Sequence, residues 1–349
     1  MIKWFLVLPP AAQVTIISAV VSALIAILVA FVNPFASARL EKLKAELTAD
    51  VEHIKADLAK EAAIDDARRS YEFEAKKRLY SEVEPLIFQL FEAAEGSYYR
   101  VGSLVRTHRQ GHLGPEGGSW LARDGYYLRS TIYRLFLPIA IFRLLQRSAT
   151  FVDIELDENI RTRYFLLKIS YYALTDDFVF AALEPNLTYS PNVPDWKEKV
   201  QQNPGMYCRQ GLVIGHLDRL IDALIVDERD AQRPMNYGEF EALYRENEGF
   251  QKDLAEAANL FHGFDFEGRP VLARALLAIA YAMRLLLLTY SRTPSPDELV
   301  AALEAFCHSN EAKSDLDWGS SSYGLGYRSV VNYVEERISW IASEDYDIK

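Results

Sequence analysis

The first eighty residues constrain this chain more than any others: Trp4 to Ala38 contains no charged residue, and a charged eleven-residue repeat follows directly. Within the uncharged stretch, Val14 to Val32 is nineteen residues long and polar only at Thr15, Ser18 and Ser22. As a helix it would reach about 28 Å, close to the hydrocarbon thickness of a bilayer. The sequence therefore predicts one transmembrane helix, started by Pro9 and Pro10 and interrupted at Asn33-Pro34, with Trp4 and Phe5 at the interface. A cleaved secretory signal is the competing reading, because Ala36-Ser37-Ala38 resembles a cleavage site. The apolar run is longer than a signal core of about 7 to 15 residues, and Lys3 alone supplies the basic end, so the anchor is preferred.

Lys3 precedes the span, whereas Arg39, Lys42 and Lys44 follow it closely. Short-range basic residues stay on the cytoplasmic side, which predicts an inner-membrane, single-pass protein with the bulk of the chain cytoplasmic. Asn186-Leu187-Thr188 is a glycosylation sequon only in the reverse orientation.

Residues 40–50 align with 51–61, and Leu40, Leu43 and Leu47 correspond to Val51, Ile54 and Leu58. Spacings of 3, 4 and 4 average about 3.67 residues per turn, so the stripe stays on one face of a nearly straight helix. These six residues form the expected oligomerisation seam, with packing inside the chain as the plainer alternative. The pairs Glu41/Lys44, Glu52/Lys55, Asp57/Lys60 and Asp65/Arg68 support the helix by a few tenths of a kcal/mol each. A stalk over 36–79 would span on the order of 65 Å if it does not fold back.

The organisation expected is thus an anchor over 1–35, a stalk over 36–79 and a cytoplasmic domain over 80–349, with a cut near residue 190 as the alternative. Half of the residues are apolar and a quarter charged, which suits a folded soluble domain rather than a disordered or multi-spanning chain. The net charge of -11 repels polyanions and argues against general nucleic-acid binding. Cys208 and Cys307 each fall on an apolar helical pattern and fit neither a zinc spacing nor a redox pair.

Beyond Leu79 the apolar period is helical, and no convincing alternating strand is found. Helices are expected at Glu82 to Glu95, Tyr126 to Gln146, Glu158 to Leu183, Gly211 to Val226, Tyr237 to Arg245, Lys252 to Phe261, Pro270 to Tyr290, Pro296 to His308 and Tyr327 to Ala342. The fold class is all-α: one N-terminal transmembrane helix, a long helical stalk and a soluble helical bundle. Pro270 to Tyr290 is apolar enough to suggest a second span, but Arg274 and Arg284 favour a core helix. The Gly- and Pro-rich stretches Gln110 to Asp124, placed after a helix hairpin, and Glu184 to Pro204 are the expected loops.

Tyr98 to Arg147 holds eight arginines, no lysine and two acids, a balance of +6 inside an acidic chain. Arg100, Arg106, Arg109, Arg123, Arg129 and Arg134, interleaved with Tyr98, Tyr99, Tyr126 and Tyr127, suit a phosphate-bearing ligand, an anionic headgroup or an acidic partner, and are the expected contacts of an acidic or phosphorylated partner protein. Pairing of these arginines with the acidic remainder of the chain is the plainer alternative. Gly111 to Ser119 lacks the Gly-Lys-Ser/Thr ending of a phosphate loop, so it is expected to be a connector. Gly324-Leu325-Gly326 ahead of the last helix could present an anion-binding helix N-terminus, though glycine before a helix is common.

His108 and His112 are four apart with Gly111 between them, and His216 and Asp218 face different sides of one helix, so neither pair suggests a metal or acid–base site. Glu239 and Glu241 read as acids at a helix start. No catalytic signature is present, and no cofactor or metal is implied. The function expected is binding, scaffolding or signalling at the cytoplasmic membrane face, with the bilayer, a protein partner and a second copy of the chain as contacts. The alternatives are a membrane-tethered enzyme or toxic effector with its site between helices, and a purely structural spacer.

Overall fold

The computed structural model describes residues 9–342, apart from 115–119, 124, 150–153, 184–186, 188, 190–196, 229–230 and 320. Most of the expected loop Glu184 to Pro204, the sequon asparagine, and Glu116 and Asp124 lie outside the described residues. Helix α1 runs over Pro10–Arg109. The chain divides into compact units Met1–Phe73 and Glu74–Lys349.

In the first unit α1 is uninterrupted, and the break expected at Asn33-Pro34 is absent. Proline removes one helical N–H and crowds the preceding turn, yet the residues on both sides of it stay helical. Just past the proline, the Ser37 hydroxyl donates to the carbonyls of Asn33 at 2.8 Å and Pro34 at 3.1 Å. Val14 to Val32 is helical throughout and none of its apolar window is buried, so this segment is long and apolar enough to cross a membrane. The stalk residues that follow are exposed on every face. Leu40, Leu43, Leu47, Val51, Ile54 and Leu58 retain 42–66% exposure.

The second unit begins with the rest of α1, whose inner face carries Leu79, Val83, Leu86, Leu90, Ala94, Val101 and Leu104 into the core. The expected stop at Glu95 does not occur, and the expected hairpin is one continuous helix. Gly96, Ser97 and Gly102 have poor helix propensity, but the buried Leu90, Ala94, Val101 and Leu104 on either side hold the helix through them.

The remaining helices are α2 (Tyr126–Ala149), α3 (Glu158–Ala173), α4 (Asp177–Ala182), α5 (Lys197–Gln202), α6 (Pro204–Tyr207), α7 (Ile214–Ala223), α8 (Tyr237–Glu246), α9 (Glu248–Phe261), α10 (Pro270–Leu288), α11 (Pro296–Cys307), α12 (Asn310–Leu316) and α13 (Ser321–Ala342). Helix α10 is the centre: it packs on α3, α4, α11 and α13, and Val271 through Met283 are all buried. Its apolarity is therefore that of a core helix. Arg274, 4% exposed, donates to the Phe180 carbonyl at 3.3 Å, and Arg284 reaches Glu311 at the surface.

Three other boundaries differ from the sequence expectation. The segment Glu158 to Leu183 is broken into α3 and α4 because Leu174 and Thr175 turn, leaving the Asp176 carboxylate to accept from Tyr333 at 2.7 Å and Arg337 at 2.8 Å. The segment Gly211 to Val226 is helical only over α7, and its tail opens a hairpin of β1 (Ile225–Glu228) and β2 (Ala231–Pro234), paired antiparallel with Ile225 opposite Pro234. Gly324 and Gly326 lie inside α13 rather than ahead of it, so they offer no free helix N-terminus. Helix starts follow local chemistry: Asn236 with Glu239, and Ser295 with Glu298, close reciprocal capping boxes.

Candidate functional site

The arginines of the basic stretch Tyr98 to Arg147 disperse over several partners. Arg129 forms a two-pronged bridge to Glu241 at 3.0 and 3.3 Å, both side chains mostly buried. Arg143 and Arg147 share Asp222 at 3.2 and 2.9 Å, and Arg106 stands 3.9 Å from Asp315. Arg109 donates to the carbonyls of Lys313, Ser314 and Asp317, satisfying the C-terminal end of α12. Arg123 meets the Asn259 side chain. Arg100 donates to the Ser130 hydroxyl at 2.7 Å and lies over the Tyr127 ring at 4.6 Å, and burial lowers its pKa. Arg134 is exposed.

The tyrosines separate as well. Tyr98 is buried, with its hydroxyl toward Glu311 and Asp315 at 3.3 and 3.4 Å; burial and these carboxylates raise its pKa. Tyr99 and Tyr126 are exposed, and the Tyr127 hydroxyl lies between Ser103 at 3.0 Å and Thr107 at 3.1 Å. Most of the stretch thus pairs with oxygens of its own chain rather than converging on one anion-binding surface.

The histidines do not converge either. His108 packs edge-on against Phe266, His112 stacks on Trp120, and Asp218 accepts from Tyr171 at 2.9 Å. Among the described residues no three His, Cys, Asp or Glu side chains could hold a metal ion. Cys208 and Cys307 are free thiols, and burial pushes Cys307 up to about 12. Glu239 completes its capping box and pairs with Arg233, which pulls its carboxyl down to about 2.

The surface that does gather chemistry lies on the outward side of α1 in the second unit. Two adjoining clefts, of about 420 and 410 Å³, share Phe88, Phe91 and Tyr290. One is bounded by Tyr80 to Phe91 on α1, by Asp157, Asn159, Ile160 and Arg163 around the start of α3, and by Tyr290. The other is bounded by Phe88 to Tyr99, by Arg284, Leu287 and Tyr290 at the end of α10, and by Glu311 in the first turn of α12. Such volumes fall within the range of ordinary binding clefts.

The clefts are built from ordinary helix geometry. Tyr80, Glu84, Phe88, Glu92, Glu95 and Tyr99 recur three or four residues apart, so they share one helix face, while Leu79, Leu86 and Leu90 take the opposite side into the core. Phe91 anchors the floor: its ring meets Tyr290 edge-to-face at 5.0 Å and lies under the Arg163 guanidinium at 5.2 Å. Arg163 in turn donates to the Thr289 hydroxyl at 3.1 Å and carbonyl at 2.8 Å, tying α3 to the end of α10. Asp157 caps α3 by accepting from Ile160 N at 3.0 Å and also accepts from the Tyr80 hydroxyl, which raises the Tyr80 pKa.

Above this ordered floor the rim is open. Phe88 and Tyr290 are 70% and 71% exposed. Glu84, Asp157, Glu92, Glu95 and Glu311 outnumber Arg163 and Arg284, so the lining is net acidic. No protein family matches the chain, and no curated protein and no solved structure is similar to it.

Proposed function

We propose that the chain is a single-pass membrane protein whose soluble helical domain binds a partner protein at the aromatic, acidic cleft on α1. The observation that carries the reading is the exposure of Phe88 and Tyr290 between two adjoining clefts. Exposed aromatics on the rim of a concave surface contribute little to the core, whereas buried by a partner they are strong contributors to affinity. Arg39, Lys42 and Lys44 after the span, against Lys3 before it, support a cytoplasmic face of the inner membrane for the domain. The exposed stripe from Leu40 to Leu58 supports a second role for the stalk, pairing with another copy of the chain.

An acidic or phosphorylated partner at the arginine stretch is the less supported reading, because Arg129, Arg143 and Arg147 already face carboxylates of this chain. A photo-reactive amino acid at position 88, activated in intact membranes, tests the proposal against the same label at exposed Glu246 on α8. The expected result is a discrete adduct from position 88 that weakens when Tyr290→Glu is added. Indistinguishable labelling from the two positions would contradict it.

A further inference from the structure

We propose that the occupant of the α1 cleft is a basic amphipathic helix of the partner protein, lying alongside α1 with two apolar anchors and a cationic flank. The inference rests on the reading of this cleft as a partner site. Three observations narrow the occupant: the charge of the rim, its exposed aromatic rings and the spacing of the two clefts.

Glu84, Glu92 and Glu95 are exposed and have no ion-pair partner among the described residues. Glu92 and Glu95 are three apart on one helix face, so the two carboxylates repel each other along α1. The two arginines of the lining do not relieve them: Arg284 is bound to Glu311 at 3.1 Å, and Arg163 is committed to Thr289. An arriving lysine or arginine would therefore meet uncompensated carboxylate, while an acidic segment would be repelled. The exposed rings of Tyr80, Phe88, Tyr99 and Tyr290 stand between these acids, so the same cations gain aromatic faces as well as carboxylates.

The spacing selects a helix. The α1 segment lining one cleft, Tyr80 to Phe91, is displaced by eight residues from the segment lining the other, Phe88 to Tyr99. At 1.5 Å per residue the clefts are offset by about 12 Å along α1, the distance between positions i and i+7 or i+8 on a helix running beside it. A helical segment can place one apolar side chain in each cleft on either side of Phe88 and Tyr290, with its basic residues toward the glutamates.

The test uses the full-length protein in phosphatidylcholine nanodiscs, whose neutral lipid does not itself attract basic peptides. The probe is a displayed library of helical peptides with one apolar stripe and randomised polar positions, selected for binding that is lost with Phe88→Glu. Retained peptides are expected to be enriched in Lys and Arg around apolar residues seven or eight apart. They should also bind the E84K/E92K/E95K variant at least about tenfold more weakly and lose affinity with added salt. The unfolding midpoint of that variant should be close to wild type, since all three positions are exposed. Retention of neutral or acidic sequences, failure to retain any Phe88-dependent peptide, or equal binding to the triple variant would overturn the inference. A position-88 adduct that persists in those cases would leave the broader reading of a partner site standing.

Discussion

Lys168 is 7% exposed on α3, and its ammonium lies over the rings of Phe165, Tyr172 and Tyr164 at 5.6, 5.7 and 6.0 Å. Burial lowers its pKa from 10.5 to about 8. Between those values the unfolded chain holds a proton that the folded chain has released, so the burial penalty is full below pH 8 and lifts as pH rises toward 10.5. Lys168→Met is therefore expected to raise the unfolding temperature at pH 7, with the gain shrinking through that window. A lower unfolding temperature at pH 7, or a gain independent of pH, would refute the assignment. Arg129 shows the reverse case, a charge the fold requires. Arg129→Ala should cost about 1–3 kcal/mol by chemical denaturation, because it leaves the Glu241 carboxylate mostly buried without its two-pronged partner. An unchanged midpoint would mean the bridge contributes nothing. The sequence showed that these arginines wanted planar partners; it could not show that Glu241, more than a hundred residues away, was one of them.

At the level of elements, helix periodicity was readable in α2, α8, α10 and α11, where an apolar face meets the core. It failed where a local conformation is short or set by tertiary packing. The hairpin of β1 and β2 has four residues in each strand and little alternation to announce it. The continuation of α1 through Gly96 depends on neighbours contributed by distant segments. The cleft had a legible half, since Tyr80, Glu84, Phe88, Glu92, Glu95 and Tyr99 share one face of a helix. Its other half comes from residues 157–163, 284–290 and 311, which no local pattern connects. The stalk permits a direct element-scale test. Cysteine in place of Leu47, in the apolar stripe, should form a disulfide-linked dimer on mild oxidation in membranes. Cysteine in place of Ala49, about 200° away around the helix, should do so far less. Equal yields would argue against a self-pairing seam.

For the molecule as a whole, the sequence holds two strongly apolar helical segments with different surroundings. A charge-free stretch of α1 with none of its apolar window buried precedes a domain in which α10, nearly as apolar, is enclosed by its own chain. The difference is physical. Apolar residues of α10 are covered by α3, α4, α11 and α13, so they need no lipid, whereas Val14 to Val32 exposes Val20, Leu24, Leu28 and Phe31 at 53–77% with no such cover. Exposing that much apolar surface to water would be strongly unfavourable, and lipid removes the cost. Extraction of cell membranes with alkaline carbonate, following the full chain by its intact mass, tests this most directly. The uncleaved protein should remain in the membrane pellet and be released only by detergent; its recovery intact in the aqueous supernatant would contradict the account.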